Sequence, residues 1–109
     1  MRVILLPNVL DYLENISEIL YEKEYFSFES TSRKYVVELY NDIVANLPVK
    51  LHKPAPKYFD KYGNDLYYAV FKKNKRTSWY AFFSKYNDNG QTVYLVCYIG
   101  NNHTCAQHL

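Results

Sequence analysis

Apolar residues open the chain as the short run Val3-Ile4-Leu5-Leu6, which Pro7 ends. The run predicts a strand over 1–6. From Val9 the period changes. Val9, Leu13, Ile16 and Leu20 recur at spacings of three and four, with Asp11, Glu14 and Glu18 off that face. This is an amphipathic helix running to about Lys23, with Asn8 as its cap. Ser27 or Ser30 can cap a second helix, whose buried stripe is Tyr35, Val36, Leu39, Ile43 and Val44 until Leu47-Pro48 stops it. Pro54 and Pro56 predict an extended surface segment over 50–57. After Gly63 the pattern becomes that of strands. Runs at 66–72, 78–86 and 92–99 are rich in aromatic and branched residues, joined by polar turns at 73–77 and 87–90. The order of elements predicts one α+β domain over 1–109. In it an N-terminal strand and two antiparallel helices pack on one face of a small antiparallel sheet, which a C-terminal three-stranded meander completes.

The Asn89-Gly90 pair favours a two-residue hairpin turn, which fixes side-chain parity across the last two strands. Tyr86 then faces Val93, Ser84 faces Leu95, Phe82 faces Cys97 and Tyr80 faces Ile99. The small apolar set Val93, Leu95, Cys97 and Ile99 suits the side beneath the helices. The other side then carries Trp79, Phe83, Lys85, Tyr94, Val96 and Tyr98 as an open aromatic face, which marks a partner surface.

Composition sharpens this picture. Of the 109 residues 18% are aromatic, 13 of them tyrosine, and the formal net charge is only +2. Nine of the 13 Lys and Arg lie from residue 49 onward, so an anionic ligand belongs to the C-terminal half. Cys97 and Cys105 form no CxxC or zinc-spaced Cys/His pair, which predicts reduced thiols in a cytoplasmic protein without a metal. The opening apolar run is too short for a signal-peptide core or a membrane span, so no membrane role is expected. No GxSxG, P-loop, GxGxxG or HExxH motif occurs, which removes support for the common hydrolase and nucleotide-binding arrangements and for a cofactor.

Candidate chemistry therefore falls on the basic cluster Lys72, Lys73, Lys75 and Arg76, on Lys85, and on the tail carrying His103 and His108. One reaction needs these residue types together. Cleavage of an RNA phosphodiester by its own 2′-hydroxyl requires a base, a proton donor to the leaving oxygen, and cations for the growing phosphate charge. His103 or His108 can serve as acid or base, and Arg76 and Lys85 as phosphate clamps. Lys72, Lys73 and Lys75 can bind the RNA backbone, while Trp79, Tyr94 or Tyr98 stack on unpaired bases.

The stretch Arg76-Thr77-Ser78-Trp79-Tyr80-Ala81-Phe82-Phe83 and the ending Tyr98-Ile99-Gly100-Asn101-Asn102-His103, in this order of elements, resemble the RelE/ParE superfamily of bacterial toxins. The resemblance implies the toxin of a type II toxin-antitoxin pair: a cytoplasmic, metal-independent endoribonuclease that cuts mRNA on the translating ribosome and is held by a cognate antitoxin protein. His103, after the last strand, matches the family's C-terminal acid or base by position, with His108 second. Nucleases of the family carry Arg or Lys within the second and third strands, where this chain has Tyr67-Tyr68-Ala69-Val70-Phe71 and Trp79-Tyr80-Ala81-Phe82-Phe83. That departure keeps an alternative open, a non-catalytic binder of the same fold such as a DNA gyrase inhibitor or an inactive toxin relative.

Overall fold

A computed structural model of the chain describes residues 1–22, 29–73 and 75–109. The Ser27 cap, the helix end at Lys23 and Asn74 of the 73–77 turn lie outside the described residues. The elements are β1 (Arg2–Leu5), α1 (Pro7–Glu22), α2 (Glu29–Asn46), β2 (His52–Pro54), β3 (Tyr67–Lys72), β4 (Ser78–Asp88), β5 (Gln91–Asn101) and the short α3 (Asn102–Cys105), with 3-10 turns at Leu47–Val49, Lys57–Tyr62 and Ala106–His108.

Helix α1 begins at Pro7, one residue before the expected cap. A proline at the first helical position loses no hydrogen bond and brings a helix-compatible φ. Val9, Leu13 and Ile16 are buried while Asp11, Glu14 and Glu18 are exposed, as the spacing predicts. In α2, Val36, Leu39 and Ile43 are buried and Tyr35 half-buried, but Val44 is 37% exposed and Leu47 closes the stripe instead. Helix α2 already includes Ser30. The buried Ser32 hydroxyl donates to the Ser17 carbonyl and ties the two helices together.

The five strands form one sheet in the order β1-β5-β4-β3-β2. It is mixed, not antiparallel, because β1 runs parallel to β5, with Arg2 opposite Val93 and Leu5 opposite Val96. Strand β2 arises inside the expected surface segment and pairs with β3 on the far edge. The β4–β5 turn is the two-residue kind, with Asn89 at φ 52° and Gly90 at φ 85°, the left-handed pair a type I′ turn requires.

From that turn the register runs as expected through Ser84 opposite Leu95, and then shifts. Phe83 pairs with Val96 but Phe82 pairs with Tyr98, so Cys97 is the extra residue of a β-bulge. Beyond it Ile99 moves to the face of Ala81, and Tyr98 joins Phe82 on the other.

The two faces are also reversed relative to the sequence expectation, except that Ile99 and Tyr98 lie on the sides expected of them. Trp79, Ala81, Phe83, Tyr94, Val96 and Ile99 lie beneath the helices with Val9, Leu13, Leu39 and Ile43. Around Phe82 the opposite face is closed rather than open, while Val70 of β3 on the same face stays exposed. Phe82 and Cys97 are buried there under Phe59 and Leu66 of the 57–66 segment and Cys105 of α3, with Tyr62, Tyr68, Tyr80 and Tyr98 packed around them. Phe59 stacks on Phe82 at a centroid distance of 4.3 Å. The prolines at 54 and 56 do not lead a loop idly over the surface; they turn the chain into the 3-10 turn that covers this face.

Candidate functional site

Strand β4 begins and β5 ends at the same edge of the sheet, with Trp79 opposite Asn101. Past Asn101 the backbone leaves the sheet and coils into α3, which sets how the next residues are held. The Asn101 side-chain oxygen accepts from the N–H groups of His103 at 3.0 Å and Thr104 at 3.2 Å, and the Asn101 N–H donates to the Thr104 hydroxyl, a reciprocal capping box. Asn102 then reaches sideways. Its Oδ1 accepts from the Ser78 N–H at 3.1 Å, and its Nδ2 donates to the Arg76 carbonyl at 2.9 Å. The Cys105 thiol is buried below, against Gly100, and the His103 imidazole stands exposed.

The β3–β4 turn meets this C-terminal turn. Lys72 pairs with Ser78, and the Lys73 N–H donates to the Thr77 carbonyl at 3.0 Å. Lys73 also holds its ammonium 5.3 Å over the Tyr35 ring, whose hydroxyl accepts from the indole N–H of Trp79 at 2.8 Å. Lys72, Lys75 and Arg76 are exposed, and Arg33 and Lys34, both exposed, directly precede Tyr35 in α2. Of the expected site residues, the structure thus gathers Lys72, Lys73, Lys75, Arg76 and His103 at one end of the sheet. Asn101 and Asn102 counted in sequence only as part of the ending and Tyr35 only as part of a helix stripe, without a site role, and Arg33 and Lys34 were not singled out. Only a buried indole's need for an acceptor hints at Tyr35, and that need does not name its partner.

Lys85 is not part of this group. It lies seven positions along β4 from Ser78, roughly 23 Å at the strand rise. Its Nζ is 3.1 Å from His52 Nε2 and 4.7 Å over the Tyr67 ring. An ammonium can only donate, so His52 Nε2 accepts and the ring proton sits on Nδ1, 3.3 Å from the Lys50 carbonyl. His52 packs edge-on against Tyr67 and Phe83, a structural imidazole that nothing in the sequence singled out.

His108 is separated from His103 as well. It stacks on Tyr58 with centroids 3.5 Å apart, and fastens the last 3-10 turn to the Lys57–Tyr62 turn.

The stacking role expected of Trp79 and Tyr94 is overturned, because Trp79 is 2% and Tyr94 7% exposed beneath the helices, and neither ring has a face left for a base. Tyr98 is half-buried with one face taken by Tyr62, stacked at 3.8 Å. Burial, then its hydrogen bonding with Tyr62 and the nearby Cys105, pushes the Tyr98 phenol well above its ordinary range.

Comparison with protein-family models, with curated proteins and with solved structures finds no match to this chain. Among the described residues no group of three His, Cys, Asp or Glu is placed to hold a metal, and no helix is long and apolar enough to cross a membrane.

Among the described residues apolar surface is open at more than one place, beside β2 and β3 at Val49, Leu51 and Val70 and also on the helix pair. A groove of about 480 Å³ runs along the outer side of the helix pair, floored by Leu10, Leu13, Val36, Val37 and Tyr40 and edged by Glu14, Glu18 and Arg33. Val37 is 54% exposed and Leu10 40%.

Proposed function

We propose that this protein is the toxin of a type II toxin-antitoxin pair with a RelE/ParE arrangement, a cytoplasmic endoribonuclease that cuts mRNA on the ribosome. The observation that carries this reading is the meeting of a four-cation turn, Lys72, Lys73, Lys75 and Arg76, with an exposed histidine at one end of a sheet. The cations bind the RNA backbone, Arg76 takes charge developing on the scissile phosphate, and His103 moves the proton as acid or base. His108 and Lys85, engaged elsewhere, act in the fold. A cognate antitoxin would find its seat in the outer helix groove, whose apolar floor suits the apolar face of an amphipathic helix.

Expression in a bacterial host without a partner tests the reading. Growth should stop, with transcripts cut within codons. His103→Ala should relieve the arrest by at least about tenfold, the usual worth of a positioned acid or base. Lys85→Ala should remain toxic and Arg76→Ala should not. Equal toxicity of the His103→Ala variant would remove the proposed chemistry. The absence of cations from 67–71 and 79–83, with Lys85 of β4 tied to His52, favours one other reading, a non-catalytic binder such as a gyrase inhibitor. It would give DNA-damage signalling with intact mRNA.

A further inference from the structure

The Asn102 carboxamide does at the end of β5 what a neighbouring strand would have done. Along an extended chain the carbonyl of one residue and the N–H two residues later point to the same side, and a parallel strand satisfies both with one residue's own N–H and C=O. The Arg76 carbonyl and Ser78 N–H form such a pair, while Thr77 turns its carbonyl the other way, to Lys73. Asn102 fills the rung with its side chain, at 2.9 and 3.1 Å, where the β5 backbone has already departed into α3. The next residue is His103, whose own N–H is held by Asn101. The basic turn and the histidine therefore meet through one side-chain amide, with the capping box of α3 setting the other side of the joint.

We propose that Asn102 is a positioning residue: its carboxamide, hydrogen-bonded across to Arg76 and Ser78, fixes the basic β3–β4 turn relative to His103 so that Arg76 and His103 address one phosphate group of an RNA. This deepens the endoribonuclease reading and rests on it. Few other side chains can fill the place. Aspartate keeps an acceptor for Ser78 but sets a carboxylate oxygen against the Arg76 carbonyl, alanine offers neither group, and glutamine carries its amide one methylene too far.

Two measurements on purified protein decide it. In single-turnover cleavage of mRNA on programmed ribosomes, Asn102→Ala should lower the maximal rate by about 10- to 100-fold, the cost of displacing a catalytic group by about an ångström. The half-saturating concentration should change by less than about threefold, because the lysines still bind. The rate that remains should still depend on His103, falling again when His103→Ala is added; a variant that had merely lost its fold would show no such dependence. In the second measurement, a single-stranded RNA fully 2′-O-methylated against cleavage is titrated while NMR signals of Arg76 and His103 are followed. Both should move together in the wild type, and in Asn102→Ala the Arg76 signal should move without His103. A variant that cleaves like the wild type, or in which both signals still move together, overturns the role of Asn102 and leaves the endoribonuclease reading standing. A wild type that neither cleaves nor responds overturns both.

Discussion

Gly100 is a glycine for room, not for backbone conformation, and its replacement gives a sharp test of how the C-terminal turn is seated. A Cβ at this position would fall inside the envelope of the Cys105 sulfur and 3.2 Å from the Tyr98 hydroxyl oxygen. Cys105 has nowhere to go, being 1% exposed and packed in one cluster with Phe59, Leu66, Phe82 and Cys97. Tyr98 is held in turn by its stack on Tyr62. Adding a methyl group to a close-packed interior costs about 1–3 kcal/mol, and contact with two restrained neighbours puts Gly100→Ala at about 2–3 kcal/mol. For a domain of this size that lowers the melting temperature by roughly 8–20 °C. Cys105→Ala alone should cost about 1 kcal/mol through the small cavity it leaves. The new methyl then occupies the space the sulfur vacates, so the double variant should recover about 1–2 kcal/mol relative to the sum of the singles. Urea unfolding followed by the fluorescence of the single tryptophan, Trp79, reads all four proteins. A Gly100→Ala variant within about 0.5 kcal/mol of wild type, or strictly additive costs, would refute the packing of α3 against β5.

Two further outcomes follow from buried aromatic groups. Trp79→Phe removes the indole donor and leaves the Tyr35 hydroxyl without it, so stability should fall by about 1–3 kcal/mol in chemical denaturation while RNA affinity holds; a loss of affinity with unchanged stability would return Trp79 to the surface. Burial raises the Tyr12 phenol to about 12 and pushes that of Tyr98 up as well, so the folded state holds both neutral where the unfolded chain would ionise near pH 10. Stability should therefore be intact below about pH 10 and decline as pH rises towards 12, with Tyr12→Phe flattening that decline; urea midpoints across the range that decline equally in wild type and variant would contradict it.

The sequence disclosed local order well and the sides of the sheet badly, for identifiable reasons. Helical spacing in 9–20 and the positive-φ demand of Asn89-Gly90 act between near neighbours, so α1 and the start of the β4–β5 register were legible. The bulge at Cys97 leaves no mark in composition, yet it breaks the alternation, so that Ile99 and Tyr98 lie on the expected sides although the residues before the bulge are reversed. Assigning the small apolar residues to the helix side failed because both faces are covered. The helices pack on Trp79, Phe83 and Tyr94, and the cover over Phe82 comes from 57–62 and the tail, short segments that carry neither helical nor strand periodicity. For the candidate site, the cation cluster at 72–76 and His103 were visible by residue type. Lys85 was misplaced because seven positions along a strand is a long way in space. Asn102 was invisible because its value depends on two backbone groups 24 and 26 positions away in sequence.

The parallel pairing of β1 with β5 also governs the order in which the molecule can be made. Strand β1 is synthesised well before its partner β5, so this edge of the sheet closes only once β5 has been translated. The joint at Asn102 lies later still. A nascent chain stalled before β5 has the cation turn without its histidine and the first strand without a neighbour, so the candidate site is assembled only after β5 and α3 have been made.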